Sequence, residues 1–476
     1  MGALPDQSRE GAAVWWLRTS RTGVASHPGH HPRVACGRGL ALVGVKGWVG
    51  DHCCRAPSTL PRITPTSAAG CVDGWSSRSP SPCRDKIVTS QQNIDRIRAT
   101  HIGSLPRPHA LLDMMARKYR DEAYDHDEYR RTLRSSVEDC VHRQVDAGID
   151  VVTDGEFSKP GFFTYVRERL AGFEERPDQK RLSFQQETAA FPEYYAEYFK
   201  TAMMGGAILP ITPVVCTGPV EYIGEALVAA DIENVKAAAD AAGVPDDQVF
   251  LSATAPSGVG INEYYTTDEE YFHDLARELN KEYRAVVDAG LLVQIDDPFL
   301  SDIFAEPDLD EKQMARRAEI YVEACNAALE GIPAERVRYH TCYGINEGPR
   351  IYEAALSDVI GYVLKVHAGS FSFEAANPRH EHEYHLFESV TVPDDVVICP
   401  GVITHACNIV EHPEWIAERI VRFAKLVGRE RVVASADCGF SSQALYKTEV
   451  HDTVVWEKFK ALRQGADLAT KQLWRH

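Results

Sequence analysis

The feature that most constrains the fold is a repeated alternation of short apolar runs and longer amphipathic stretches, which begins near residue 95. The runs are rich in Val and Ile and are bounded by Gly, Pro or Asp, as is typical of buried parallel strands. They cover residues 98–104, 149–156, 213–218, 249–255, 291–296, 337–342, 363–374, 396–404 and 432–438. Alternation of this kind predicts a parallel sheet covered by helices.

The stretches between these runs predict helices, and three of them, 268–290, 308–331 and 413–428, end in Gly. In the last of the three, Ile416, Ile420 and Phe423 recur on one helical face. Nine runs are one more than the eight strands of a (β/α)8 TIM barrel need. We therefore expect a TIM barrel in which one run forms an edge or a cap. An open doubly wound sheet is the alternative, although no G-x-G-x-x-G motif opens a helix after an early strand.

Charge and hydropathy exclude two classes of partner. The 476-residue chain carries a formal net charge of −18, which excludes nucleic-acid binding by the protein as a whole. No apolar run is long enough to cross a membrane, so we expect a cytoplasmic protein with small-molecule partners.

Residues 1–90 differ from the rest in composition. They have a positive charge balance, are rich in Pro, Ser, Gly and Arg, and show no helical or strand period. We expect 1–90 to be a disordered extension and 91–476 to be the catalytic domain. The extension is either a targeting peptide or the product of a start assigned too early, since regular sequence begins at Val88.

Polar side chains cluster at the carboxyl ends of the predicted strands, which all open on one face of a barrel. His340 and Cys342 end one strand, and residues two apart in an extended chain point the same way. Glu374 ends the next strand and Cys438 ends the last. One His, two Cys and one Glu form a donor set suited to tetrahedral Zn²⁺. The alternative is a buried set of core Cys and His residues without a metal.

Seven motifs carry a resemblance to a known family. In chain order they are THIGSLPRP, VVTDGEF, VQIDDPF, HTCYG, FSFEAAN, CPGVITH and SADCGF. They resemble the ordered motifs of the catalytic barrel of cobalamin-independent methionine synthase, in the superfamily that also contains the uroporphyrinogen decarboxylases. The related decarboxylase barrels lack the His-x-Cys, Glu and Asp-Cys-Gly set. Residues 1–90 are too short to be the N-terminal barrel of the large enzymes, so the chain resembles the single-barrel members.

The resemblance implies zinc-dependent transfer of a methyl group to a thiol, most simply homocysteine, to give methionine. It implies that the four metal donors named above hold the zinc. Ile102 and Ser104 would contact the substrate carboxylate, and Glu156 and Asp296 would contact its ammonium group. The residue chemistry agrees, because carboxylates suit a cationic amine and a hydroxyl with backbone N–H groups suits an anion.

Two histidine-containing segments have open roles. The large enzymes carry a His after the strand that here reads GVITHACN, and His405 lies one position away from it. We predict His405 as the general acid, with a structural His as the alternative. The loop NPRHEHEYH contains His380, His382 and His385, which either cover the substrate or lie in a solvated loop.

The methyl donor stays open between methyltetrahydrofolate and a methyl-corrinoid protein. The large enzymes have a Trp near the fourth strand that supports the folate ring, and this chain offers Tyr264 and Tyr265 instead. A second enzymatic possibility is thiol addition to an epoxide, as in epoxyalkane:coenzyme M transferase. A third is a structural or storage zinc protein, although such sites are usually closed and often built from CxxC pairs.

Overall fold

The computed structural model describes residues 91–178, 184–201, 205–344 and 347–474. The predicted disorder or early start of residues 1–90 lies outside the described residues. Within the described ranges the chain forms ten strands. In chain order they are β1 (Val152–Thr153), β2 (Leu170–Glu175), β3 (Val214–Tyr222), β4 (Val249–Thr254), β5 (Ile261–Asn262), β6 (Leu292–Asp296), β7 (Val337–His340), β8 (Ser370–Phe373), β9 (Val397–Ile403) and β10 (Ser435–Ala436).

Eleven α-helices occur in the same ranges. In chain order they are α1 (His109–Tyr119), α2 (His126–Asp146), α3 (Gln185–Ala190), α4 (Pro192–Thr201), α5 (Glu225–Ala242), α6 (Asp268–Asp288), α7 (Phe299–Asp302), α8 (Glu311–Ala328), α9 (Leu356–Val363), α10 (Pro413–Val427) and α11 (Asp452–Leu473). The three helices predicted to end in Gly correspond to α6, α8 and α10. Gly290, Gly331 and Gly428 follow them with φ values of 91°, 75° and 98°, a backbone region that favours Gly.

Seven strands form one parallel sheet in the order β1-β4-β6-β7-β8-β9-β10. The segment 98–100 joins its two edges. Ala99 pairs in parallel with Ala434, and the Thr100 N–H donates to the Ala434 carbonyl at 2.9 Å. On the other side, the Ala99 carbonyl accepts the N–H of Asp150 at 2.9 Å. The sheet therefore closes on itself, and the predicted TIM barrel is confirmed.

The apolar strand runs are buried on both faces, as parallel strands under a helical layer must be. All six residues of β4 and all seven residues of β9 are buried. The surrounding helices show one apolar face each. In α10, Ile416, Ile420 and Phe423 lie in the core, and Gly465 of α11 packs against Ile416.

The third predicted run, 213–218, is the extra one and lies outside the barrel sheet. It forms part of β3, which pairs antiparallel with β2 and parallel with β5 in a separate three-stranded sheet. β3 is only partly buried, and it contains Pro219, which removes a ladder donor and suits a peripheral strand. This sheet is the edge piece that the count of nine runs required.

Two predicted strand boundaries were wrong. The run 363–374 begins at the last residue of α9, and β8 contains only Ser370–Phe373. The N–H groups of Lys365 and Val366 bond back to the carbonyls of Tyr362 and Val363, so this part of the run forms a turn rather than a strand. The run 98–104 pairs only at its start, because Gly103, with φ of 131°, turns the chain across the top of the barrel.

Candidate metal centre and substrate pocket

Three of the four predicted metal donors meet at the carboxyl ends of β7 and β10. His340 is the last residue of β7, Cys342 lies two residues beyond it, and Cys438 follows β10. Each offers one ligand atom, and these atoms lie within 4.8 Å of one another. All three residues are buried. The two-residue spacing at the end of β7 turns His340 and Cys342 to the same side. Closure of the barrel brings the end of β10 to the same mouth, although β8 and β9 lie between β7 and β10 in the sheet.

The histidine ring is oriented for a ligand. His340 Nδ1 lies 3.0 Å from the Ser372 hydroxyl, which fixes one ring nitrogen. His340 Nε2 is buried and has no hydrogen-bond partner. Burial lowers the pKa of His340 to about 3, so the imidazole is neutral at pH 7. A neutral His whose second nitrogen is held by a hydrogen bond is the usual form of a metal ligand.

The two thiols form a buried pair. A hydrogen bond with Cys342, together with burial, raises the pKa of Cys438 well above its ordinary value. A divalent cation reverses this preference, because a coordinating thiol is deprotonated outright. Two sulfur donors and one nitrogen donor with an unpartnered atom fit zinc better than they fit a hard cation.

Glu374, the fourth predicted donor, lies in a second group. It belongs to a buried set with His405 and Asp437, whose ligand atoms also lie within 4.8 Å of one another. Its carboxylate is engaged by Arg350, with Nη2–Oε1 and Nη1–Oε2 distances of 3.1 and 2.9 Å. Burial opposes ionisation of Glu374, yet the charge of Arg350 leaves its pKa below the ordinary value. The structure thus brings three of the predicted donors together, whereas the fourth, Glu374, forms an ion pair with the guanidinium group of Arg350.

Arg350 also belongs to a buried network of ion pairs. Its Nε donates to Glu353, and the other Glu353 oxygen lies 3.1 Å from His380 Nε2. His380 Nδ1 lies 2.8 Å from Glu383, and the Tyr343 ring stacks on the imidazole with centroids 4.0 Å apart. Burial opposes protonation of His380, but the hydrogen bonds to Glu353 and Glu383 raise its pKa to about 9. His380 is therefore a buried cation at pH 7.

The other histidines of that loop are at the surface. His382 and His385 are exposed, and His385 pairs with Glu388 at 2.7 Å. The hypothesis of a lid treated the three histidines alike. In the structure, His380 is buried in the ion network, whereas His382 and His385 are exposed.

His405 lies beside the metal donors, directly after β9. It is buried, and burial lowers its pKa to about 4. The ring is neutral at pH 7, so the structure offers a proton acceptor here rather than a protonated acid. The predicted role of His405 as general acid stays a prediction.

The predicted ammonium-binding residues, Glu156 and Asp296, lie at the carboxyl ends of β1 and β6. Both are buried, and Glu156 Oε2 has no hydrogen-bond partner. Asp296 accepts a hydrogen bond from Gln294 Nε2 at 2.8 Å. Burial raises the pKa of both carboxyls, and the charge of Glu156 raises that of Asp296 further. Two desolvated carboxyls of this kind bind a cation favourably.

The glycine turn at 103 allows this pocket to form. A Cβ atom at Gly103 would lie 2.6 Å from the Ser252 hydroxyl and 2.8 Å from Glu156 Oε1. Glu156 itself has a left-handed backbone with φ of 60°, which is uncommon for a residue other than Gly. The two unusual conformations bring the first barrel segment against the carboxyl group.

Ile102 and Ser104, the predicted carboxylate contacts, connect this pocket with the metal donors. Ser104 is buried beside Gly439, where a Cβ atom would lie only 2.0 Å from its Oγ. The Ser104 carbonyl accepts the Phe440 N–H at 2.9 Å. The Ile102 carbonyl accepts a hydrogen bond from Gln294. All four predicted substrate residues therefore surround the same barrel mouth.

The sequence reasoning assigned no role to two buried cations here. Arg350 belongs to an irregular loop, and its partner Glu374 is 24 positions away, so no periodic signal reveals it. Lys159 is buried with Nζ bonded to the Ser252 carbonyl, and it lies 4.5 Å above the Tyr165 ring. The only signal for Lys159 was a basic residue three positions after Glu156 in GEFSKP.

Tyr264 and Tyr265, named from the sequence as a support for the donor ring, lie beside the side sheet. Tyr265 bonds the Val220 N–H of the side sheet at 3.1 Å, and Tyr264 is exposed. A cavity of about 150 Å³ lies instead between α3 and the loops that follow β4, β6 and β7. Its aromatic lining is Phe184, Phe299, Tyr321, Tyr343 and Tyr352.

The sequence matches the model of a family described as "Cobalamin-independent synthase, Catalytic domain" over residues 97–255 and 262–455. The chain belongs to this family. The two matched segments contain every metal donor and substrate residue discussed above. The family description also bears on the donor, because it offers no support for the corrinoid protein considered from the sequence.

The relatives of this chain fall into two groups that differ in length. The methionine synthase of Thermococcus kodakarensis is 24% identical over 378 residues, which cover 79% of this chain and 94% of the relative. The 5-methyltetrahydropteroyltriglutamate–homocysteine methyltransferase of Thermotoga petrophila is 22% identical over 394 residues. That match covers 82% of this chain but 46% of the relative, so this chain spans about half of such a long enzyme.

A solved structure supports the fold of the family member described here. The B12-independent methionine synthase from Shewanella sp. W3-18-1, in complex with selenomethionine, matches with a TM-score of 0.61 and 19% identity. The match covers 79% of this chain and 99% of that chain. In the described ranges, no helix combines the length and apolarity needed to cross a bilayer.

Proposed function

We propose that this protein transfers a methyl group to the thiol of homocysteine, giving methionine, with zinc held by His340, Cys342 and Cys438. The observation that carries the proposal is the convergence of these three buried donors, with ligand atoms within 4.8 Å of one another, beside a carboxylate pocket. Family membership and the names of the relatives support the reaction class. When bound, zinc keeps a substrate thiol deprotonated and nucleophilic at neutral pH.

The chain's own residues position the amino acid. Glu156 and Asp296 receive the ammonium group, which gains two charge-assisted hydrogen bonds in a desolvated pocket. The Ser104 hydroxyl and the backbone near Ile102 receive the carboxylate. This arrangement directs the thiol toward His340 and Cys438, because Ser104 packs against the Cys438–Gly439 turn.

The donor we propose is a methyltetrahydrofolate, the substrate class printed in the name of the Thermotoga petrophila relative. The aromatic cavity supports it, since flat rings suit an aromatic lining, and Tyr343 connects the cavity with Cys342. In the transfer, a carbon–sulfur bond forms, the methyl carbon–nitrogen bond breaks, and the donor nitrogen takes up a proton. His405 is the predicted carrier of that proton.

The experiment is a methionine assay on zinc-loaded protein with homocysteine and, in separate reactions, methyltetrahydrofolate or methylcobalamin. We expect methionine with the folate donor and a zinc content near one per chain. Cys438→Ser should lose both zinc and activity. Full zinc content without methionine from either donor would instead support the storage or structural alternative.

One observation favours testing coenzyme M as a second thiol substrate. Lys159 is buried and its charge acts on both Glu156 and Asp296, and a lysine could hold the sulfonate of coenzyme M. Reactions with homocysteine and with 2-mercaptoethanesulfonate separate the two substrates. We expect the amino-acid thiol to be preferred, because two carboxylates repel a sulfonate. The cytoplasmic location expected from the sequence remains a prediction.

A further inference from the structure

A buried histidine precedes the carboxylate turn, which we define as residues 102–104. His101 is fully buried, and both nitrogens of its ring are engaged. The Gly103 N–H donates to His101 Nδ1 at 3.2 Å, and His101 Nε2 lies 2.8 Å from Gln144 Oε1. The ring therefore connects the carboxylate turn with helix α2, to which Gln144 belongs.

The backbone of Thr153 determines the orientation of the Gln144 amide. The Thr153 N–H donates to Gln144 Oε1 at 3.0 Å, and Gln144 Nε2 donates to the Thr153 carbonyl at 2.7 Å. Gln144 Nε2 also donates to the Cys140 carbonyl at 3.2 Å. Rotation of the amide by half a turn would set two donors and two acceptors against each other at Thr153. The amide oxygen must therefore face the His101 ring.

The orientation of the amide in turn fixes the proton of His101. An amide oxygen can only accept, so the proton of the neutral imidazole lies on Nε2, and Nδ1 keeps the lone pair that the Gly103 N–H requires. Burial lowers the pKa of His101 to about 4, so the ring is neutral at pH 7. A chain of hydrogen bonds thus runs from Thr153 through Gln144 and His101 to Gly103.

Thr153 leads directly into the ammonium loop, which we define as residues 154–156. It is the last residue of β1, and Glu156 ends the loop. A second link joins the two segments after the carboxylate turn, where the Leu105 N–H donates to the Gly155 carbonyl at 3.1 Å. The carboxylate turn is therefore bonded to the ammonium loop or its strand on both sides.

We propose that His101 is a positioning residue that, together with Gln144, holds the carboxylate turn at a fixed distance from the ammonium loop and so selects a thiol that carries both an ammonium and a carboxylate group. This inference rests on the proposed function, in which Ser104 receives the carboxylate and Glu156 the ammonium group. A substrate with both groups on one carbon binds well only if its two contacts keep the matching separation.

The test uses variants that each break the link at one point. In His101→Asn, the shorter side chain can accept the Gly103 N–H but cannot reach Gln144. In His101→Gln, the side chain can reach Gln144 but has no acceptor in the place of Nδ1. Gln144→Leu leaves the imidazole in place and removes its partner.

Homocysteine binding to the zinc-loaded proteins is measured by calorimetry, and KM and kcat are measured in the methionine assay. We expect Kd and KM to rise about 10- to 100-fold in all three variants, because a misplacement of about 1 Å can cost this much, and kcat to change less. The thiols 4-mercaptobutanoate and 3-mercaptopropylamine each carry only one of the two groups. Their affinities should fall much less, since a single contact does not depend on the separation.

Val137→Ala is the matched control. Val137 is a buried residue of the same helix as Gln144, and its side chain forms no part of the link. The substitution should lower the stability of the protein and leave the Kd for homocysteine unchanged.

Three results would overturn the role of His101. These are wild-type affinity for homocysteine in the folded variants, equal losses for homocysteine and both single-group thiols, and full affinity in His101→Asn, which lacks the bond to Gln144. If the variants do not fold, ¹⁵N spectra of histidine-labelled wild type decide. We expect a neutral ring that is protonated on Nε2 and accepts the Gly103 N–H at Nδ1, and a ring protonated on Nδ1 contradicts the proposal.

The same measurements separate this inference from the proposed function. A wild type that binds homocysteine but forms no methionine overturns the function, while the affinities of the variants still judge His101. A wild type that does not bind homocysteine overturns both.

Discussion

At the scale of single residues, the carboxyl pair of the substrate pocket makes a direct prediction. Among the described residues, neither Glu156 nor Asp296 forms a salt bridge, so an incoming ammonium group can pair directly with both carboxyls. Glu156→Gln and Asp296→Asn should each raise KM for homocysteine about 10- to 100-fold, since a hydrogen bond to a charged group contributes about 1.5–3 kcal/mol. Steady-state kinetics measure this effect, and kcat should change less.

The matched control is a thiol without the amine. Activity with 4-mercaptobutanoate should be low in the wild type and unaltered in both variants. Equal losses with the two thiols would mean that these carboxyls support the fold of the site rather than ammonium recognition.

The buried imidazolium of His380 predicts a dependence of stability on pH. The pKa of His380 is about 9 in the folded chain, against about 6.5 for an unperturbed His. The folded state therefore retains a proton that the unfolded state loses, and this contribution is complete below pH 6.5 and lost as pH rises through 9. It is on the order of 3 kcal/mol, since one pKa unit corresponds to about 1.4 kcal/mol.

Urea denaturation at pH 7 and pH 9.5 measures the contribution. The wild type should lose more stability over this interval than His380→Gln, which has no titrating ring. His382→Gln, at an exposed position of the same loop, should behave as the wild type. Equal losses in all three proteins would show that the ion network does not retain the proton.

Residue-level prediction succeeded where a local rule applied. The side chains of His340 and Cys342 converge because residues two apart on an extended strand end point the same way. The rule says nothing of Arg350, which reaches Glu374 from an irregular loop. The sequence therefore predicted the candidate metal donors but not the guanidinium group that pairs with the fourth of them.

At the scale of elements, the contact between α10 and α11 depends on one glycine. A Cβ atom at Gly465 would lie 2.4 Å from Ile416 Cγ2 and 3.0 Å from the Pro413 carbonyl oxygen. Gly465→Ala should lower the free energy of unfolding by about 1–3 kcal/mol, because overpacking outweighs the gain in helix propensity. Thermal denaturation measures the change.

Gly361 of α9 provides the matched control, since nothing lies within 4 Å of a Cβ atom there. Gly361→Ala should stabilise the protein by up to about 1 kcal/mol through helix propensity alone. A gain of stability in both variants would show that α11 can shift to admit the methyl group.

Element prediction was accurate where a signal marked the end of an element. Gly290, Gly331 and Gly428 marked the ends of three helices, because a left-handed residue stops a helix regularly. The run 363–374 was misread because apolar residues at the end of α9 continue into those of β8. A turn closed by backbone hydrogen bonds of Lys365 and Val366 separates the two elements, and composition does not reveal it.

At the scale of the whole molecule, the strands of the closed sheet and both segments matched by the family lie after residue 96. Asn93 Nδ2 donates to the Arg429 carbonyl at 3.0 Å and to the Val432 carbonyl at 2.6 Å, and the family match begins at residue 97. A variant that begins at residue 91 should keep the zinc content, activity and melting temperature of the full chain. Metal analysis, the methionine assay and calorimetry check this expectation.

Asn93→Ala in the shortened chain is its control. It should lower stability by about 1–3 kcal/mol, because the Val432 carbonyl, in a buried hydrogen bond, and the Arg429 carbonyl both lose their donor. Loss of zinc or of cooperative melting in the shortened chain itself would show that residues 1–90 contribute to the fold.

The barrel as a whole could be predicted because alternation of strands and helices has few solutions. The sequence predicted one run outside the barrel, but not the side sheet of β2, β3 and β5 to which that run belongs. A single apolar run does not indicate whether its neighbouring strands are parallel or antiparallel.

Closure of the barrel through Ala99 and Ala434 has a consequence for synthesis on the ribosome. The first segment cannot find its second neighbour until β10 has left the exit tunnel, and Cys438 emerges just after it. The segment 98–100 must wait for most of translation with one open edge, which exposes the nascent chain to aggregation. Chaperone demand during production, rather than stability of the finished protein, should therefore limit the yield of active enzyme.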